Sequence, residues 1–137
     1  MPRGPHSCVL LADRHHALVE GVRGLLETAF GTVVMVADKE SLQDVAFRLQ
    51  PDVAVVDVSL ARDGGLDWLK AVRATCPGLK VIALSVHDEE SVRRAAMQAG
   101  ADEYVVKRAI VTDLLPAVDR VRAMTRPGDF TQGGVPA

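Results

Sequence analysis

The sequence predicts a doubly wound α/β domain, in which helices cover both faces of one sheet of five parallel strands. Five short β-rich runs alternate with five longer segments whose apolar residues recur at helical spacing. Two of the runs, "VAVV" and "VIAL", are apolar at every position, as is typical of parallel strands buried on both faces. Strict alternation favours a parallel sheet, because parallel neighbours need crossover helices.

Each element follows from its own run of residues. The strands are predicted at residues 8–12, 32–37, 53–58, 81–84 and 104–106. Each helical segment carries one apolar stripe with the spacing of an amphipathic helix. The stripes consist of Leu18, Val22, Leu25, Leu26 and Ala29; Leu42, Val45, Ala46 and Leu49; Leu66, Leu69 and Val72; Val92, Ala95, Ala96 and Ala99; and Leu114, Val118 and Val121.

Glycine and proline mark the ends of the predicted helices. They stand at Gly31, Pro51, Pro77 and Gly100. Pro116 is expected in or near the first turn of the fifth helix, where its missing N–H costs least. We expect residues 7–124 to form the domain, residues 1–6 to be a disordered N-terminus and residues 125–137 to be a linker or flexible tail.

Composition is that of one soluble domain and excludes several classes of protein. The 137 residues are 48% hydrophobic and 25% charged, which is typical of a soluble domain. The formal net charge is −2, and acidic and basic residues are mixed along the chain, so the sequence lacks the clustered Lys and Arg of a nucleic-acid-binding surface. Cys8 and Cys76 lack metal-type spacing and indicate reduced thiols. Apolar runs are far shorter than the ~20 residues that span a membrane, and "MPRGPHS" lacks a signal-peptide core. We therefore expect a cytoplasmic protein without membrane contact.

Polar residues follow the predicted strands. The first run ends at Asp13, the third at Asp57, the fourth at Ser85 and the fifth at Lys107. Ligands of an open parallel sheet bind at the carboxyl ends of its strands, so these side chains would converge at one edge. Each alone is commonly a helix cap or a surface residue, but together they predict a site for an oxyanion and a hard cation. Asp38, after the second strand, is expected to cap the helix that begins near Lys39.

Asp57 is the candidate for covalent chemistry at this edge. It follows "VAVV" and precedes the loop "SLARDGG", whose glycines allow a tight turn. A carboxylate can attack a phosphoryl donor and form an acyl phosphate. Such a transfer depends mainly on in-line placement and on neutralising the phosphoryl oxygens. Lys107 can supply a fixed cation for this purpose, and Ser85 can donate a hydrogen bond.

Four motifs carry a family resemblance: "VLLADRH", "PDVAVVDVSLARDGGLDWLKAV", "VIALSVHDEE" and "AGADEYVVK". In this order and spacing, over residues 8 to about 122, the chain resembles the receiver domain of two-component response regulators. The histidine after the atypical Asp13–Arg14 pair, and "GADEYVVKR" with no proline after its lysine, are most similar to the NarL/LuxR-type subfamily. The resemblance implies a flavodoxin-like (βα)5 fold with strand order 2-1-3-4-5.

The resemblance also implies a role for the residues of the predicted site. Asp57 would accept the phosphoryl group, and Lys107 and Ser85 would bind it. Ser85 and Tyr104 would form a switch, in which the aromatic ring swings inward when the Ser85 hydroxyl moves toward the phosphoryl group.

The partners follow from the same resemblance. A sensor histidine kinase would supply the phosphoryl group. The domain itself would be a signalling domain and not an enzyme, with at most self-phosphorylation and self-dephosphorylation. A change of conformation would then control an output domain or partner in the regulation of transcription, and a homodimer is compatible with this role. DNA would be contacted only through an output domain, which does not fit in residues 125–137. Whether the chain is a piece of a longer protein or acts alone stays open.

Arg14 departs from the family pattern, which has two acidic residues after the first strand. Here Asp13 matches the first acid, and Arg14 stands at the second. The resemblance implies that Asp13, Asp57 and the backbone carbonyl of Ser59 hold Mg²⁺ as cofactor. Because Mg²⁺ needs oxygen ligands and a guanidinium offers none, Arg14 weakens this predicted metal site.

Three interpretations of Arg14 follow. The side chain points away and leaves a weak metal site; it takes the place of the cation beside Asp57 or a phosphoryl group; or the domain is a pseudo-receiver, an interaction module without metal-dependent phosphorylation. Asp63 could replace the missing acid, although a loop acid or helix cap is the simpler interpretation. His15 and His16 are expected in an exposed first turn, since no third metal ligand at helical spacing accompanies them. A flavodoxin-like enzyme or nucleotide binder would need a glycine-rich loop, which "ADRHHA" lacks.

Overall fold

Strands and helices alternate along residues 7–124, the part of the chain that the computed structural model describes. In chain order the elements are β1 (Cys8–Ala12), α1 (His16–Glu27), β2 (Thr32–Val36), α2 (Lys39–Leu49), β3 (Val53–Asp57), α3 (Asp67–Thr75), β4 (Lys80–Ser85), α4 (Glu90–Ala99), β5 (Glu103–Val106) and α5 (Ile110–Ala123). The strands pair in parallel in the order β2-β1-β3-β4-β5, which confirms the predicted fold class and strand order. The expectations for residues 1–6 and 125–137 lie outside the described residues.

The sheet lies between two apolar cores. Every residue of β3 is buried, and successive side chains of a strand point to opposite faces of the sheet. Ala54 and Val56 therefore pack in one core, whereas Val53 and Val55 pack in the other. This arrangement explains why "VAVV" shows no alternation of polar and apolar residues. The edge strand β2 is only partly buried, and it is the one strand among the described residues that has no fully buried residue.

Several element ends follow the local signals in the sequence. Asp38 caps α2, as expected, by accepting a hydrogen bond of 2.7 Å from the Ser41 N–H. Gly100 follows α4 with a φ of 128°, in the region that favours glycine. Two strands end one residue earlier than predicted, β2 at Val36 and β3 at Asp57. Asp57 is therefore the last residue of its strand and is placed by the sheet itself.

Pro116 corrects one expectation, because it lies in the interior of α5 and not in its first turn. A 3₁₀ turn at Lys107–Ala109 runs directly into α5, so that the helix begins at Ile110, before the position that the proline suggested. Pro116 and Thr112, whose carbonyl would accept the missing N–H, are both exposed. Water can therefore satisfy that carbonyl, which reduces the cost of the proline.

No helix in residues 7–124 is long and apolar enough to cross a membrane.

Candidate functional site

The carboxyl edge of the sheet brings the four predicted polar residues together. Their exposed fractions are 4% for Asp13, 2% for Asp57, 1% for Ser85 and 9% for Lys107. No other charged or hydroxyl-bearing side chain is buried in residues 7–15 and 19–124. Buried polar groups need partners, and these residues find them mainly in one another and in the adjoining loops.

Lys107 bridges two carboxylates at this edge. Its ammonium Nζ lies 2.9 Å from Asp13 Oδ2 and 3.1 Å from Asp57 Oδ2. Two buried carboxylates this close would repel each other if no cation lay between them. The ammonium group therefore allows both acids to share a buried position. We call Asp13, Asp57 and Lys107 the acidic pocket.

The carboxylate of Asp57 is held in one orientation. Its Oδ1 accepts hydrogen bonds of 2.9 Å from both the N–H and the hydroxyl of Ser59. Burial by itself raises the pKa of Asp57, but the Ser59 N–H and the charge of Lys107 outweigh it and hold this pKa below its ordinary value. Asp57 is therefore an anion at neutral pH, with Oδ2 facing Lys107.

His15 is exposed, as expected, but its ring also contacts the acidic pocket, which sequence reasoning did not anticipate. Its ring Nδ1 lies 3.0 Å from Asp13 Oδ1, 3.2 Å from Asp57 Oδ2 and 3.5 Å from Lys107 Nζ. The available signal was its position two residues after Asp13, whose Oδ1 accepts the His15 N–H at 2.8 Å. Asp13, His15 and Asp57 thus offer three ligand atoms within 4.8 Å of one another. Lys107 contacts all three residues and already supplies a cation there.

Arg14 turns toward the site and not into solvent. Its Nε donates a hydrogen bond of 3.1 Å to the backbone carbonyl of Ser59, and the side chain is partly buried. The interpretation in which Arg14 points away is therefore wrong. Within the described residues, Arg14 forms no ion pair with a carboxylate, and its terminal Nη groups have no protein partner. The guanidinium contacts the carbonyl that the family resemblance assigns to Mg²⁺.

A comparison of the whole sequence with known families now decides the family. The family model described as the response regulator receiver domain matches residues 9–119. The chain belongs to this family. Its fold class, strand order and motif order had already pointed to a receiver domain, and the subfamily expectation is also confirmed by relatives of the NarL/LuxR type.

Two curated relatives are each 36% identical to this receiver domain. One is the nitrate/nitrite response regulator protein NarP of Escherichia coli, which matches over 120 residues, 86% of this chain and 56% of the relative. The other is the probable transcriptional regulatory protein TcrX of Mycobacterium tuberculosis, which matches over 118 residues, 86% of this chain and 49% of the relative. The receiver domain thus spans about half the length of these relatives.

Solved structures show the same subfamily. A LuxR-family two-component response regulator from Aurantimonas matches with a TM-score of 0.80 and 25% identity, over 91% of this chain and 93% of that one. The signal receiver domain of the putative response regulator NarL from Mycobacterium tuberculosis matches with a TM-score of 0.76 and 25% identity, over 90% of this chain and all of that one.

Magnesium, the cofactor that this family implies, does not fit the observed arrangement. Mg²⁺ requires near-octahedral oxygen ligands at about 2.1 Å. An ion bound to the Ser59 carbonyl would lie within about 5 Å of Arg14 Nε, which is 3.1 Å from the same oxygen. At an effective dielectric constant of about 20, the repulsion between ion and guanidinium would be roughly 6 kcal/mol.

The formal charges of the site lead to the same conclusion. The site contains two carboxylates, Asp13 and Asp57, and two cations, Lys107 and Arg14, so that the four formal charges cancel without an ion. With a second acid in place of Arg14, three carboxylates and one lysine would leave two negative charges, which Mg²⁺ would neutralise. Arg14 therefore removes both an oxygen ligand and the excess negative charge that attracts the ion.

The two predicted switch residues meet at His87, in the loop between β4 and α4. The backbone N–H of His87 donates a hydrogen bond of 3.0 Å to Ser85 Oγ. The carbonyl of His87 accepts a hydrogen bond of 2.8 Å from the Tyr104 hydroxyl. One residue of the loop is thus connected to the buried site through Ser85 and to β5 through Tyr104.

Asp63 does not join the site. Its Oδ1 accepts a hydrogen bond of 2.8 Å from the Gly65 N–H, and the residue is exposed. This is the loop role that the simpler interpretation assigned to it. Asp63 therefore does not supply the carboxylate that Arg14 replaces.

Proposed function

We propose that this receiver domain accepts a phosphoryl group on Asp57 from a sensor histidine kinase. The change in conformation would control an output domain or a partner in the regulation of transcription, with DNA contacted through the output domain. The observation that carries the proposal is a buried, anionic Asp57 whose Oδ2 lies 3.1 Å from Lys107. Dimerisation of the domain stays a prediction.

The residues of the acidic pocket suit the transfer. Asp57 Oδ2 is the attacking oxygen, since Oδ1 is held by Ser59. Lys107 neutralises part of the charge on the phosphoryl oxygens, and the Ser85 hydroxyl, whose oxygen accepts the His87 N–H, keeps its own proton to donate. Mg²⁺ does not fit the arrangement of Asp13, Asp57 and the Ser59 carbonyl. In this proposal the phosphoryl oxygens are therefore contacted by the side chains of Lys107 and Ser85.

The switch can be driven by these contacts. Moving a two-state equilibrium from 1:99 to 99:1 needs roughly 5.5 kcal/mol of differential binding. Two hydrogen bonds to a charged phosphoryl group, at about 1.5–3 kcal/mol each, would supply roughly 3–6 kcal/mol. Movement of Ser85 toward the phosphoryl group would change its bond to His87, which also holds Tyr104. The loop between β4 and α4 would then carry the change to the surface.

The experiment is intact-protein mass spectrometry after incubation with acetyl phosphate or phosphoramidate. We expect one added phosphoryl group on the unmodified protein and none on Asp57→Asn. Asp67→Asn is the matched control, because Asp67 is an exposed acid in the first turn of α3. Addition that persists in Asp57→Asn would assign another acceptor. No addition from either donor would contradict the proposal and favour the pseudo-receiver.

A further inference from the structure

We infer that Arg14 takes the place of the divalent cation, so that phosphoryl transfer to Asp57 does not require Mg²⁺. This inference rests on the phosphorylation of Asp57 proposed above and concerns a residue that the family pattern does not contain. It follows from where the Arg14 guanidinium is anchored, from its unused donors and from the charge of the site.

A single residue, Ser59, positions both the acceptor and the guanidinium. The Ser59 N–H and hydroxyl hold Asp57 Oδ1 at 2.9 Å. The carbonyl of the same residue accepts the Arg14 Nε–H at 3.1 Å. Arg14 is therefore placed beside Asp57 by the backbone turn that follows β3, and not by an ion pair with the carboxylate.

The anchored guanidinium keeps most of its donors. A guanidinium has five N–H donors in one plane, and the bond to Ser59 uses the one on Nε. In the part of the chain that the structure describes, the Nη groups of Arg14 have no protein partner. Paired N–H groups of this geometry match two oxygens of a phosphoryl group. Arg14 can therefore contact the phosphoryl oxygens in place of a Mg²⁺ ion bound to the Ser59 carbonyl.

The transfer from acetyl phosphate balances without a metal. Asp57 Oδ2 attacks phosphorus, and the new Oδ2–P bond forms as the bond between phosphorus and the acyl oxygen breaks. Acetate leaves with the electron pair of that bond, and no proton has to move, because the attacking and leaving groups are both carboxylates. Negative charge on the phosphoryl oxygens is met by Arg14 and Lys107.

The first test compares initial rates of phosphorylation by acetyl phosphate in Mg²⁺ and in EDTA. The unmodified protein should react at the same rate in both, within about twofold. Arg14→Met should be slower in EDTA by about 10²-fold, the effect of removing one charge-stabilising donor. Arg14→Asp restores the acidic pair and should react at least tenfold faster in Mg²⁺ than in EDTA. A tenfold loss of rate in EDTA for the unmodified protein would overturn the inference.

The second test needs no phosphorylation and follows Mg²⁺ binding by amide NMR shifts of the residues around Ser59. We expect saturable shifts at millimolar Mg²⁺ for Arg14→Asp and none for the unmodified protein. Arg48→Asp, which makes the same change of charge on α2, is the matched control and should not bind. Millimolar binding by the unmodified protein would overturn the inference. If no variant is phosphorylated, the proposed function fails, whereas this titration still decides whether Arg14 replaces the ion.

Discussion

Lys107 is the residue on which the acidic pocket depends most. Its ammonium group is nine-tenths buried between Asp13 and Asp57, where an unpaired charge would be strongly unfavourable. The carboxylates provide its counter-charge, and Lys107 in turn reduces their mutual repulsion. A neutral side chain at this position would leave two like charges together in a buried site.

We expect Lys107→Met to raise the pKa of Asp57, because burial would then act without the counter-charge of Lys107. It should also lower the free energy of unfolding by about 3 kcal/mol at neutral pH. In the unmodified protein the pKa of Asp57 is lower in the folded than in the unfolded state. Its contribution to stability is therefore present above the unfolded pKa of about 3.9 and is lost as pH falls through the folded pKa.

Carbon-13 NMR titration of the carboxyl groups measures the first effect, and urea unfolding across the acidic range measures the second. The difference in stability between the two proteins should shrink below about pH 4. Lys70→Met, at an exposed lysine of α3, should leave both quantities unchanged. An unchanged pKa for Asp57 in Lys107→Met would show that the bridge does not stabilise the anion.

At the scale of elements, the loop between β4 and α4 has two attachments to the sheet. His87 receives one hydrogen bond from Tyr104 of β5 and donates one to Ser85 at the end of β4. Both bonds involve the backbone of His87, so that its side chain is free to differ without altering them. The loop therefore responds to changes at either of its partners.

Tyr104→Phe should loosen this loop without altering Asp57. The substitution removes the hydroxyl that donates to the His87 carbonyl, a bond worth about 0.5–1.5 kcal/mol. We expect the amide of His87 to exchange with solvent about threefold to tenfold faster, as followed by hydrogen-exchange NMR. Ser85→Ala, which removes the acceptor of that amide, is the positive control. Unchanged exchange in Tyr104→Phe would show that the two attachments are independent.

At the scale of the whole molecule, Arg73 connects elements that are distant in the sequence. From α3 it donates to the carbonyls of Leu79 and Gly100 and pairs with Asp102 at 3.0 Å. The same carboxylate accepts the N–H of Val81 at the start of β4, at 2.8 Å. Arg73 thus connects α3 to the end of α4 and to the starts of the neighbouring strands β4 and β5.

Removal of this connection should destabilise the whole domain. We expect Arg73→Met to lower the free energy of unfolding by about 2 kcal/mol, because the partly buried Asp102 loses its bond to the guanidinium and the Gly100 carbonyl loses its donor. Arg48→Met is the matched control, since Arg48 pairs with Asp44 on the exposed surface of α2 and should cost no more than about 0.5 kcal/mol. Urea unfolding measures both. Equal effects of the two substitutions would contradict the structural role of Arg73.

The sequence predicted features that depend on one element at a time. The strands follow from buried aliphatic runs, and the cap at Asp38 follows from its place before a helix. Pro116 was misplaced because the start of α5 depends on a turn that begins at Lys107, which no pattern around the proline reveals. His15 is exposed, as expected, but its contact with Asp57 was not predicted, because Asp57 belongs to a different strand.

By itself, the sequence determined that this chain has a five-stranded parallel sheet with two acids, a hydroxyl and an amine at its carboxyl edge. That much follows from periodicity and from the position of each residue at the end of its own strand. Only the tertiary structure excluded the interpretation in which Arg14 points away, by placing its Nε on the Ser59 carbonyl. The reason is physical: the two residues are 45 positions apart, and their contact depends on how the loops after β1 and β3 meet.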